Sequence, residues 1–239
     1  MKIALLISGG GTTMEAIIKA TKDGTLQNVQ PALVIAGKPD AGGIAKARAL
    51  GISNDDIVII DPKSFATSEL FGEAIISECK KRDVDFIGQY GWLAKTPDNV
   101  CVAYKGMIVN QHPGPLDNGR PDFGGSGMYG MRVHQARLEF VLKTGHDYWT
   151  EATAHRVTPI FDEGRIVKRK QVPIFQNDTA EMLQARVLPV EHQVQIEAVR
   201  DFANNIVVEY IRETPLVKST EEAILKEAKE NARKLYPHG

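Results

Sequence analysis

Short apolar runs that alternate with helix-period segments constrain this chain more than any other feature. Apolar runs at 3–7, 32–36, 57–60, 84–87 and 107–109 are separated by helical patterns that begin near Met14 and span 44–50 and 68–81. Strands joined through helices cannot pair as tight hairpins, so the rhythm implies an α/β fold with a doubly wound, mostly parallel sheet. Open sheets of this kind bind ligands beyond the carboxyl ends of their strands, where loops and helix N-termini converge. The loops at 8–13, 89–94 and 110–130 are therefore the places to look.

The second half has a different texture. A loop rich in Gly, Pro and Asp covers 113–127, a helical pattern covers 133–143, and β-like runs at 150–158 and 164–174 read as a C-terminal hairpin. The hairpin closes through Phe161-Asp162-Glu163-Gly164, whose Asp and Gly supply the side-chain bonding and positive φ of a tight connection. Asp178 with Glu181 reads as a capping box ahead of a long helix, which Pro189 should kink or split. Ser219 with Glu222 reads as a second box, opening a terminal helix that ends at Pro237 and serves as a surface helix or a partner-contacting tail.

Composition excludes several classes. With 239 residues, 43% hydrophobic and 25% charged, the chain is an ordinary globular protein with room for a sizeable core. Its net charge is -1, and its densest basic run, Arg165, Lys168, Arg169 and Lys170, reads as a solvated strand edge, so nucleic acid is not an expected partner. Two cysteines, Cys79 and Cys101, suit a reducing cytoplasm, and no apolar stretch reaches membrane-spanning length.

Three features carry chemistry. Gly9-Gly10-Gly11-Thr12-Thr13, between a strand and a helix, lets backbone N–H groups approach an anion at the positive helix end, although a plain tight turn fits as well. It is neither a dinucleotide fingerprint nor a P-loop, because Met14 stands where the third glycine belongs and the lysine is missing. Asn110-Gln111-His112-Pro113 places an amide and an imidazole on one pleat face at a strand exit. That pair can stabilise an oxyanion and shuttle a proton, as acyl transfer requires, or can be a hydrogen-bonded strand end. Asp162 could orient and charge His112, or could bond its own turn. His134, His146, His155 and His192 lack zinc-site spacing, so no metal is expected, and Ser126 between Gly125 and Gly127 does not match a nucleophile elbow.

Taken in order, these motifs resemble the glycinamide ribonucleotide formyltransferase family over roughly residues 2–205. The resemblance runs through Leu5-Leu6-Ile7-Ser8-Gly9-Gly10-Gly11-Thr12-Thr13, Lys38-Pro39-Asp40-Ala41, Val109-Asn110-Gln111-His112-Pro113, His155-Arg156-Val157-Thr158 with Phe161-Asp162-Glu163-Gly164, and Glu191-His192. It implies the formyltransferase fold and transfer of a formyl group from 10-formyltetrahydrofolate, as co-substrate, to the amine of glycinamide ribonucleotide. Asn110, His112 and Asp162 would then carry the chemistry, Gly11, Thr12 and Thr13 would hold the phosphate, and Glu191 would receive the substrate amine. Gly91, Trp92, Leu93, Ala94, Pro159, Ile160 and Phe161 would line the pterin pocket. One formyltransferase domain would cover 1–211, with a phosphate-binding half at 1–109, a catalytic and folate-binding half at 110–211 and a helical tail at 212–239, in a monomer or homodimer. The sequence departs from the family after His112-Pro113, reading Gly114-Pro115-Leu116-Asp117 and then an insertion to Gly130 whose glycines suit a mobile lid.

Two other functions compete with this one. Folate chemistry could be kept with another small amine or water as acceptor, or the fold could be kept as a noncatalytic folate- or nucleotide-binding module.

Overall fold

A computed structural model describes residues 1–239. The elements are β1 (Lys2–Ile7), α1 (Thr12–Lys22), β2 (Gln30–Ala36), α2 (Gly43–Ala49), β3 (Ile57–Ile59), α3 (Ser68–Lys80), β4 (Phe86–Gln89), α4 (Asp98–Ala103), β5 (Ile108–His112), α5 (Met131–Thr144), β6 (Trp149–Arg156), β7 (Ile166–Pro173), α6 (Ala180–Ala203) and α7 (Glu222–Leu235). Seven strands form one sheet in the order β3-β2-β1-β4-β5-β6-β7. The pairs β1–β2, β2–β3, β1–β4 and β4–β5 are parallel, and β6–β7 is antiparallel. This is the α/β, mostly parallel architecture with a C-terminal hairpin that the apolar rhythm implies. No helix is long and apolar enough to cross a membrane.

Two compact units divide the chain. One comprises 1–111, 156–159 and 195–207. Ile3, Ala4, Leu5, Leu6 and Ile7 of β1 are all fully enclosed, which is why β1 reads as a continuous apolar run without alternation, whereas the edge strand β3 is only half-buried and leaves Ile59 exposed. Burial of each large side chain among them contributes about 1.5–3 kcal/mol. The chain leaves β1 toward β2 and β3, then returns to β4 on the other side, so the loops after β1 and β4 lie side by side at the switch point.

The other unit comprises 112–155, 160–194 and 208–239. In it β6 and β7 pair from Trp149↔Pro173 to His155↔Ile166, with an irregularity between Ala154 and His155. Such a bulge bends the strand and re-aims the next side chain. Helix α7 packs on α5 and buries Leu225, Ala228 and Ala232, so the C-terminal segment is a structural part of this unit and not a free surface helix.

Three local expectations change. Asp178 does not cap α6; it accepts the Phe175 amide at 2.8 Å and pairs with Arg186 at 2.6 Å. Thr179 is the cap, its hydroxyl accepting the Met182 amide at 3.3 Å. Helix α6 runs unbroken through Pro189, because Leu183, Val187, Val194, Ala198 and Val199 form a buried stripe whose packing outweighs the proline's cost of about 3 kcal/mol. The second box is also displaced: Ser219–Glu221 is a 3-10 turn, and the Glu221 carboxylate accepts the Lys218 amide at 3.1 Å.

Candidate active site

The exit of β5 brings His112 into the second unit, and the hairpin brings the groups that surround it. His112 and His155, at the ends of β5 and β6, are both 2% exposed, with ring centroids 6.5 Å apart at 75°. Asp162 sits in the connecting turn with φ 59, a left-handed conformation that Asp tolerates better than most residues. Its carboxylate faces both imidazoles: Oδ2 lies 3.7 Å from His112 Nδ1, and Oδ1 lies 3.4 Å from His155 Nε2. The Gly125 amide donates to Oδ2 at 2.8 Å. At 3.7 Å the His112 contact is electrostatic, not a hydrogen bond, so Asp162 does not orient that ring as the sequence suggests.

Charge in this cluster follows from burial and neighbours. Burial raises the Asp162 carboxyl, but His112, His155 and the Gly125 amide outweigh it and hold the group well below the usual carboxylate range. Burial dominates at His112, drawing it down to about 4 against the attraction of Asp162. The site therefore rests as an anionic Asp162 beside a neutral His112: Asp162 favours the protonated ring, as expected, but burial outweighs it. The His112 Nε2 atom is buried and has no hydrogen-bond partner in the protein.

This arrangement has a measurable consequence. Burial also draws His134 of α5 down to about 3. For groups whose folded pKa is depressed below the unfolded value, stability is complete above about pH 6.5 and is lost as acid protonates the unfolded chain. At pH 4, His112 alone accounts for about 3 kcal/mol, and His134 adds a similar amount. The urea midpoint should fall steeply between pH 6.5 and 4; a flat midpoint over that range would contradict the neutral, buried imidazoles.

The insertion is not a loose lid. Asp122 accepts the Asp117 amide at 2.7 Å and the Gly124 amide at 2.8 Å, and Arg132 donates to the Gly127 carbonyl at 2.9 Å. Leu116, Asp117, Phe123, Gly124 and Met128 are buried. Gly124 must be glycine, since a Cβ there would stand 2.6 Å from Leu116 Cδ2 and 2.8 Å from Asp162 Cβ.

Other sequence candidates lie where the strand order puts them. In the first unit, Gly11 caps α1 in the left-handed region at φ 64, where a Cβ would meet Gly43 Cα at 2.8 Å. No side chain caps that helix start, but Thr13 is buried and Thr12 half-buried, so Gly9 and Gly10 present the loop's exposed backbone. Ser8 joins this loop to 91–94: its amide donates to the Gly91 carbonyl at 3.1 Å, and its hydroxyl accepts the Leu93 amide at 3.1 Å. Trp92 is 7% exposed and stacks on Phe71, so its ring belongs to the core, whereas Leu93 is exposed and Ala94 half-buried. Asn110 is half-buried two residues before His112 on β5, Pro159 is exposed, and Glu191 is buried on α6.

Ile160 and Phe161, at 67% and 42% exposure, flank Asp162 with open apolar surface. Sequence reading did not place His155 beside Asp162, although its position at the end of the strand leading into the same turn was a usable signal.

Comparison with known proteins identifies the family. Residues 1–199 match the formyl transferase family. The chain is 36% identical to the chloroplastic phosphoribosylglycinamide formyltransferase of Vigna unguiculata over 92% of its own length and 66% of the relative's, so it spans about two thirds of that protein. It is 31% identical to the phosphoribosylglycinamide formyltransferase of Bacillus subtilis (strain 168), covering 80% of this chain and 89% of the relative. The crystal structure of glycinamide ribonucleotide transformylase 1 from Symbiobacterium toebii superposes with a TM-score of 0.74 at 30% identity, covering 86% of this chain and 88% of that one. The family match over most of the chain, these relatives and the superposed fold together place the chain in the formyl transferase family, among its phosphoribosylglycinamide formyltransferases.

Proposed function

We propose that this chain transfers the formyl group of 10-formyltetrahydrofolate to the amine of glycinamide ribonucleotide, the acceptor in its relatives' names, in purine biosynthesis. The observation that supports it most is the anionic Asp162 held between two buried imidazoles and a backbone amide. The donor supplies an activated formyl carbon, and the acceptor amine, once neutral, is a competent nucleophile, so no covalent enzyme intermediate is needed. Asn110 donates its side-chain N–H to the oxygen on which negative charge develops. His112, neutral at rest, stabilises the same charge through its ring N–H, and Asp162 takes up the proton the amine releases and returns one to the departing folate nitrogen.

The flanking residues take matching roles. The loop through Gly11, Thr12 and Thr13 holds the ribonucleotide phosphate, assisted by the exposed backbone of Gly9 and Gly10. Glu191 receives the amine end of the acceptor. The open apolar surface of Ile160 and Phe161 suits a flat pterin, with Gly91, Leu93, Ala94 and Pro159 contributing backbone and Trp92 stiffening the loop from beneath. Two free, buried cysteines fit a reducing cytoplasm, and a net charge of -1 fits small-molecule substrates with no nucleic acid, in a monomer or homodimer.

A steady-state assay with both substrates, following tetrahydrofolate and product mass, tests this reading. Turnover should fall at least about a hundredfold in His112→Ala. Folate binding without turnover in the unaltered protein would point to another acceptor or to a binding module.

A further inference from the structure

One peptide group connects the catalytic candidate to the C-terminal helix. The carbonyl of Gly124 and the N–H of Gly125 belong to the same peptide unit. The N–H donates to Asp162 Oδ2 at 2.8 Å, and the carbonyl accepts from Lys229 Nζ at 2.8 Å. An ammonium on the oxygen and a carboxylate on the hydrogen polarise that peptide in the same sense, so each bond strengthens the other. Glycine on both sides leaves the peptide plane with little intrinsic resistance to rotation. A flip would turn a carbonyl oxygen toward the Asp162 carboxylate and remove its one backbone donor.

We propose that Lys229 is a positioning residue for formyl transfer, locking the Gly124–Gly125 peptide so that its N–H stays on Asp162. The proposal rests on the formyltransferase reading and extends it beyond the family-matched residues, since α7 lies past position 199. Several contacts hold Lys229 in place. Helix α7 packs along α5, Asn231 donates to Glu139 at 2.8 Å, and Arg132 donates to the Tyr236 carbonyl at 2.8 Å. The ammonium is half withdrawn from solvent and faces Asp122 and Asp162, with Arg233 nearby; burial draws its pKa down, as expected for a charge placed for a purpose other than solubility. The insertion and the C-terminal helix are thus two halves of one device.

The test uses the full chain in three variants. Lys229→Met should lower kcat about tenfold with little change in either KM, the effect of losing one charge-assisted hydrogen bond. Lys229→Arg, which keeps the charge, should recover most of kcat. Asn231→Ala, which loosens the same helix without touching the insertion, should lower the melting temperature while kcat stays at the unaltered value. Amide exchange at Gly125, followed by NMR, should accelerate at least about tenfold in Lys229→Met and not in Asn231→Ala. Unchanged exchange at Gly125 in Lys229→Met would overturn the lock, whatever the activity. Absence of formyl transfer in the unaltered protein would instead sink the functional reading, while the exchange result would still decide the lock.

Discussion

Asp162→Asn should lower kcat for formyl transfer by about three orders of magnitude while leaving folate affinity near its original value, a loss within the usual range for removal of a proton acceptor. The substitution keeps shape and an acceptor for the Gly125 amide, so the loop should stay in place. What it removes is the charge, which opposes the burial of His112 and draws on His155. With the carboxylate gone, protonating His112 becomes still more costly, and the acceptor of the amine's proton is lost. Parallel measurement of kcat and folate dissociation checks this; a large loss of affinity with kcat preserved would show that Asp162 binds substrate and carries no proton.

Asn110→Ala should be the second largest effect, about 3 kcal/mol on the barrier, or roughly a hundredfold in kcat, by comparison with single oxyanion donors elsewhere. The reasoning starts from β5. Strand alternation puts Asn110 on the same pleat face as His112, and the half-buried Asn110 stands where the strand leaves the core. An amide donor that acts only on developing charge lowers kcat and kcat/KM by the same factor when removed, so both KM values should hold. Steady-state kinetics on the variant would read this directly, and a rise in KM at constant kcat would reassign Asn110 to ground-state binding.

The sequence made the sheet legible because β1, β4 and the second half of β2 are buried and each crossover is helical, leaving an apolar rhythm that local chemistry does not obscure. His112 and Asp162 were legible for the same reason: one ends an apolar strand before a proline, and the other sits in a turn with its own signature. What sequence could not show depended on partners far along the chain. His155 meets Asp162 at a register irregularity near the end of β6. Asp178 loses the cap to Thr179 because Arg186 captures its carboxylate. Lys229 reaches Gly124 across 105 positions, and Gly124, one of the glycines that read as a mobile lid, is there because Asp162 and Leu116 leave no room for a side chain. The resemblance implies a pterin-pocket role for Trp92, yet its ring is buried in the core and stacks on Phe71.

The most direct test of the account is a single-turnover reaction of the unaltered protein with 10-formyltetrahydrofolate carrying a 13C formyl label and glycinamide ribonucleotide, read by product mass. Label recovered on the ribonucleotide amine, in proportion to tetrahydrofolate formed, is the expected result. Label recovered as free formate, with the ribonucleotide unchanged, would contradict it and make the chain a hydrolase.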